Sequence, residues 1–217
     1  MIDVLQVGKH YPSAAGRRWV FRNINWHIEP GQRWALLGRN GRGKSSLLRI
    51  LAGAETPSEG RIVRRGTISW PLAFGGGFQG GLSGADNIRF VARLYGVDER
   101  HAVERAAEFA GLGRDLFEPY MTYSSGMRAR LAFSASLLVD FDCILIDEIV
   151  SVGDAHFRDR CNQIIGQMRE NKTMVLISHD MNTVRQYCDH VAVIDNGTIS
   201  LHDDVEVGIA HYMELAQ

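Results

Sequence analysis

The 217 residues include 24 basic and 25 acidic side chains, a formal net charge of -1, so the chain lacks the positive excess of a protein that coats nucleic acid. A hydrophobic content of 45% suffices for a full buried core, yet no apolar run approaches the ~20 residues needed to cross a bilayer. Cys143, Cys161 and Cys188 are odd in number and lack metal-ligand spacing, which fits buried thiols in a reducing cytosol, and Met1-Ile2-Asp3-Val4 lacks the basic-then-apolar layout of a signal peptide. Work at a membrane would therefore need another subunit to do the spanning.

Residues 2–7 alternate apolar and polar and read as a strand. Tyr11-Pro12-Ser13 is expected to turn the chain into a polar loop through Arg18. Residues 19–28 alternate again, with one slip near Asn23. Pro30-Gly31-Gln32 is a turn signal, and residues 33–37 form a strand that feeds the loop Gly38-Arg39-Asn40-Gly41-Arg42-Gly43-Lys44-Ser45. A helix follows over 46–52, with Gly53 as its stop. Two short β segments are expected near 61–64 and 67–70. Residues 75–81 are glycine-rich and read as a flexible connection.

Beyond it Ser83, with Asp86 three residues on, caps a helix to about Tyr95, and Asp98 caps a second that Gly111 and Gly113 end. Pro119 marks a break, and an apolar helix is expected over 129–139. The core resumes with a strand at 143–146, a helix at 156–170, a strand at 173–178 and a short helix at 181–188. A strand at 191–195, the Asn196-Gly197 turn, another strand and a terminal helix complete the chain. This alternation predicts an α/β fold with a mostly parallel sheet. The expected organisation is an α/β core over 1–78 and 140–217, with a helical subdomain over 79–139.

Residues 38–45 match the phosphate-loop pattern G-x-x-x-x-G-K-[ST] at every fixed position, between a strand and a helix. The glycines let consecutive N–H groups turn toward phosphate oxygens, and the following helix adds its positive end. Lys44 supplies a charge for the outer phosphates, and Ser45 a hydroxyl for magnesium. Asp147-Glu148 closes a four-residue apolar strand. In that setting the first acid holds magnesium and the second can take a proton from attacking water. Tyr123-Ser124-Ser125-Gly126-Met127-Arg128 leads into a helix just before that strand and forms a second anion site, for which a generic P-loop kinase or GTPase has no use.

With these motifs the chain resembles the ATP-binding subunits of ABC transporters. The resemblance implies a P-loop ATPase core with an N-terminal antiparallel β part and an inserted helical subdomain. It also implies ATP and Mg²⁺ as cofactors. Residues 123–127 look like the family's signature loop, usually Leu-Ser-Gly-Gly-Gln, with Ser124 and Gly126 matching and Ser125 and Met127 replacing a glycine and the glutamine. By the same resemblance Asp147 is a magnesium ligand with Ser45 and Gln79. Glu148 is the catalytic glutamate, His179 the switch histidine and Asp154 the D-loop aspartate. Tyr11 would stack on adenine, residues 38–46 including Ser46 would hold the phosphates, and Gln79 would link the helical subdomain to magnesium. Ser124, Ser125, Gly126 and Met127 would touch the ATP of an opposite subunit.

The likeness narrows to capsular-polysaccharide exporters of Gram-negative bacteria through Ile68-Ser69-Trp70-Pro71, Gly76-Gly77-Phe78-Gln79-Gly80 and Phe90-Val91-Ala92-Arg93-Leu94-Tyr95. It implies a motor that moves a lipid-linked polysaccharide. The implied assembly is a head-to-tail dimer with a second copy, on the cytoplasmic face of the inner membrane. It would be held by a polytopic permease and reach periplasmic or outer-membrane export proteins through it. Teichoic-acid and O-antigen exporters are the neighbouring readings. The sugar-binding domain that often follows in O-antigen exporters is expected to be absent. A soluble, non-transport ABC-type ATPase would need a second ATPase domain or a coiled-coil insertion. A P-loop GTPase would need a guanine-reading Asn-Lys-x-Asp, where Asn171-Lys172-Thr173-Met174 has Met.

Overall fold

The computed structural model describes residues 1–14, 16–72, 77–148 and 155–216. Among them, strands β1 (Ile2–Ser13), β2 (Gly16–Ile28) and β4 (Glu59–Arg64) form an antiparallel sheet in the order β2-β1-β4. Strands β3 (Arg33–Leu37), β5 (Ile68–Pro71), β6 (Cys143–Asp147), β7 (Thr173–Ile177), β8 (His190–Asp195) and β9 (Thr198–His202) form a second sheet in the order β5-β6-β7-β3-β8-β9. Every pair in that sheet is parallel except β8–β9, where Asn196 and Gly197, with φ of 46° and 80°, make the tight hairpin expected of an Asn-Gly pair.

The first hairpin departs from expectation. Within the loop foreseen from Tyr11 to Arg18, residues 11–13 and 16–18 are strand, because β1 pairs with β2 as far as Tyr11↔Arg18, Pro12↔Arg17 and Ser13↔Gly16. Proline is tolerated there because pairing with β4 stops at Gly8, which leaves the other edge of β1 open. The slip near Asn23 is real: Asn23 and Gln6 both have positive φ where the register shifts.

Helix α1 (Lys44–Ala52) buries Leu47, Leu48, Ile50 and Leu51 completely. These side chains join one hydrophobic cluster with Val4, Phe21 and Trp26 of the antiparallel sheet and with Leu36, Leu145, Val175 and Ile194 of the parallel one. Each such leucine contributes about 1.5–3 kcal/mol of burial. The helix thus fixes the loop before it to both sheets.

The described residues fall into two compact units. The first holds both sheets, α1 and the C-terminal helices α6 (Met181–Tyr187) and α7 (Val205–Ala216). The second comprises Leu72–Asp140 with residues 155–164 of helix α5 (Ala155–Asn171), a stretch expected in the core. Its helices are α2 (Gly84–Tyr95), α3 (Glu99–Ala110) and α4 (Ser125–Ser136), with 3₁₀ turns at Gly113–Phe117 and Tyr120–Thr122 on either side of Pro119. The caps are those expected: Ser83 Oγ accepts from Asp86 N, Asp98 from His101 N, and Gly111 ends α3 in the left-handed conformation. The three cysteines are buried and free, and burial pushes each thiol up to about 12, which leaves them unreactive.

Candidate functional site

The C-terminal end of β3 runs into the phosphate loop, and the loop's shape follows from its glycines. At Gly43 φ is 96°, and a Cβ there would lie 2.3 Å from Val20 Cγ1 and 3.0 Å from Phe21 Cδ1. At Gly38 φ is 154°, and a Cβ would lie 2.5 Å from the carbonyl oxygen of Ile194. Only glycine satisfies both the backbone angles and the close approach. Gly43 caps α1 without any side-chain hydrogen bond, so the first N–H groups of the helix are not taken by a cap.

Lys44 is buried and folds back on its own loop, donating from Nζ to Gly38 O at 2.5 Å and to Arg39 O at 3.2 Å. Burial pulls its pKa below the ordinary lysine value, opposed by the charges of Asp147 and Glu148. Gly38 and Arg39 therefore form the back of the loop. Residues 40–46 line an open cavity of about 1450 Å³ together with Tyr11, Asp147, Glu148, Ile177 and His179.

Asp147 ends β6 half-buried, and Glu148 follows with its side chain exposed. Glu148 has φ of 55°, costly for a residue with a side chain, and its N–H donates to Ile177 O at 3.0 Å. Pairing of β6 with β7 brings His179, just past the β7 end, to Glu148: His179 Nε2 lies 3.5 Å from Glu148 Oε1. Asp180 then caps α6, accepting from Asn182 N, Thr183 N and Thr183 Oγ1. Its carboxyl lies below the usual range, chiefly through the Thr183 hydroxyl.

Tyr11 reaches the cavity from β1, with its hydroxyl 3.0 Å from Ser46 Oγ and donating to Glu55 Oε1 at 2.7 Å. Sequence reasoning gave Glu55, Lys9 and Arg49 no role, yet all three surround this tyrosine. No local pattern joins residues so far apart in the chain.

The remaining candidates lie in the second unit. Ser124 caps α4 and accepts from Met127 N at 3.2 Å, with Ser125, Gly126 and Met127 forming the first turn. A Cβ at Gly126 would meet nothing nearer than Ser124 Oγ at 3.9 Å, so this glycine leaves open space. Tyr123, standing where the resembled loop has leucine, is buried, and its hydroxyl donates to Asp115 O at 2.6 Å. Gln79 has an exposed side chain, but Asn87 clamps its backbone, accepting from Gln79 N at 2.7 Å and donating to Gln79 O at 3.1 Å and Ser83 O at 3.0 Å. Asp154, with residues 149–153, lies outside the described residues.

Asn87 is a polar residue on the buried stripe of α2, beside Gly84, Ile88 and Val91, and that break in the apolar pattern is the signal that could have found it. Replacing Asn87 by Ala removes the partner of Gln79 N and one of the two donors to Gln79 O, and should cost about 2 kcal/mol of stability in denaturant unfolding. A loss below about 0.5 kcal/mol would remove Asn87 from the clamp role.

Among the described residues, no three His, Cys, Asp or Glu side chains gather to hold a metal by themselves. Ser45 and Asp147, a hydroxyl and a carboxylate on one cavity, are the hard oxygen donors that suit Mg²⁺ when phosphate and water complete its shell.

A family model described as ABC transporter matches residues 21–151. The chain is 44% identical over 214 residues to the ATP-binding protein BexA of Haemophilus influenzae, covering 99% of each. It is 44% identical over 215 residues to the capsule polysaccharide export ATP-binding protein CtrD of Neisseria meningitidis serogroup B, covering 99% of this chain and 100% of that one. Among solved structures, the dimeric ATP-binding cassette MJ0796 in a post-hydrolysis state with ADP and Pi matches with a TM-score of 0.78 at 20% identity, over 94% of this chain and 98% of that one. A phosphate loop, a strand ending in paired acids and a histidine drawn to the second acid, on a cassette fold matched along nearly the whole chain, lead to one conclusion: the chain belongs to the ABC transporter family.

Proposed function

We propose that the chain is the ATPase motor of an exporter that carries a lipid-linked capsular polysaccharide across the inner membrane. The observation that carries this reading is the near full-length similarity to capsule-export ATP-binding proteins. The cavity uniting the phosphate loop, Asp147, Glu148 and His179 supports the ATPase chemistry.

In this reading the loop amides and Lys44 hold the β- and γ-phosphates, and the Tyr11 ring meets adenine. Ser45 and Asp147 would hold Mg²⁺, which would supply positive charge against the charge developing on the phosphates. Glu148 takes a proton from a water whose oxygen bonds to the γ-phosphorus, as the bond to the ADP oxygen breaks to leave ADP and phosphate. His179, beside the Glu148 carboxylate, donates to the γ-phosphate and keeps that carboxylate oriented.

Two copies stand head to tail, with Ser124, Ser125, Gly126, Met127 and Asp154 of one completing the ATP site of the other. Closure of the dimer pulls on a membrane permease through the helical subdomain over 79–139 and Gln79. Hydrolysis resets it. No helix among the described residues is long and apolar enough to cross a membrane, in keeping with a permease that spans on the chain's behalf. The protein then sits on the cytoplasmic face of the inner membrane, and the permease connects it to periplasmic and outer-membrane export proteins.

The test is deletion of the gene in its native host. Capsular polymer should vanish from the surface and accumulate inside on its lipid carrier, and the intact chain should restore export. Normal surface capsule would overturn the reading. Internal accumulation of O-antigen or teichoic acid instead would move the chain to those exporters.

A further inference from the structure

Tyr11 does not sit on the cavity wall unsupported. Its hydroxyl donates to Glu55 Oε1 at 2.7 Å and lies 3.0 Å from Ser46 Oγ on α1, the helix that opens at the phosphate loop. Glu55 lies just beyond the C-terminal end of that helix and binds two cations as well: Lys9 Nζ at 2.8 Å and Arg49 Nε at 3.1 Å. Arg49 also reaches Ser46 Oγ at 3.3 Å, and Lys9 Nζ donates to Thr56 O at 2.9 Å. Lys9 Nζ stands 5.1 Å from the centre of the Tyr11 ring, which places a cation over one face. Tyr11 also lines the cavity.

We propose that Glu55 is a positioning residue for the nucleotide base: through the Tyr11 hydroxyl it holds the ring in the orientation that meets adenine, at a fixed distance from the helix that meets the phosphates. This rests on the reading of Tyr11 as the adenine platform. A tyrosine side chain loses rotamer freedom when a base stacks on it, and a tether made before the ligand arrives removes that cost. Burial raises the Glu55 pKa, but hydrogen bonds from Lys9, Tyr11 and Arg49 outweigh it and hold the carboxyl below its ordinary value, so the anchor is a carboxylate at neutral pH.

The test measures ATP–magnesium affinity on the full chain beside that of inorganic tripolyphosphate–magnesium, which has phosphates and no base. Glu55→Ala and Tyr11→Phe should each weaken ATP about tenfold and leave tripolyphosphate unchanged. The double variant should be no weaker than either single one, because both cut the same bond. In turnover, KM should rise with kcat retained. Tyr11→Ala, which removes the platform, should weaken ATP by about ten- to a hundredfold. If Tyr11→Ala binds ATP normally, the platform reading fails. If Tyr11→Ala is impaired but Glu55→Ala and Tyr11→Phe bind like the unaltered chain, the platform stands and the tether is overturned. Equal loss of ATP and tripolyphosphate in Glu55→Ala would make Glu55 a support of α1 alone, and the proposal would fall.

Discussion

Glu148→Gln is expected to bind ATP and to lose hydrolysis by about 100- to 10,000-fold, the range of a lost general base. That corresponds to about 3–5 kcal/mol of barrier. The substitution is mild for the fold. The side chain is exposed, its position in the left-handed region is held by the backbone bond to Ile177 O, and glutamine tolerates that conformation as glutamate does. With turnover stopped, ATP should hold two copies together, seen as earlier elution in size-exclusion chromatography with ATP and magnesium. A variant that hydrolyses ATP at the ordinary rate removes Glu148 from the base role. Normal affinity with slow hydrolysis also separates this carboxylate from the phosphate-binding loop.

In the proposed reading Lys44→Ala should stop turnover altogether, since the charge for the outer phosphates is lost and the Gly38 carbonyl loses the Nζ donor. Gly126→Asp should stop it by a different route. The Cβ enters open space, and an acid in the first turn of α4 suits the helix dipole, so folding is spared. What it opposes is a phosphate approaching the same amides. Each variant should therefore be inactive as a pure dimer. In the proposed head-to-tail dimer a mixture places both lesions in one composite site and leaves the other intact. Random mixing makes about half the dimers mixed, so independent sites would recover about a quarter of the activity, and coupled sites less. The decisive result is the pure Gly126→Asp protein in the assembled transporter: ordinary hydrolysis there would end the assignment of Ser124–Met127 to a partner's ATP.

What the amino-acid sequence determined by itself was whatever its local rules carry. The phosphate loop is contiguous, and its glycines, lysine and serine are read in a single pass. The caps at Ser83 and Asp98 act within three residues of themselves. The apolar strand closing in Asp147 needed only a change of polarity, and the Asn-Gly turn only the angles those two residues accept.

Other features belonged to tertiary structure alone. Tyr11 is strand and not loop because Gly16 to Arg18 pair with it and its neighbours, a contact that composition did not announce. Register shifts in β1 broke the alternation on which the strand's end would have been judged. Glu148 and His179 are 31 positions apart and meet because β6 and β7 are parallel neighbours. Lys9, Arg49 and Glu55 are charged residues of ordinary surface type, and only the packing of β1 against the end of α1 gathers them around Tyr11. Periodicity, caps and turn angles are short-range properties of the chain. Which distant side chains share a site depends on how its strands and helices pair, and no single stretch records that.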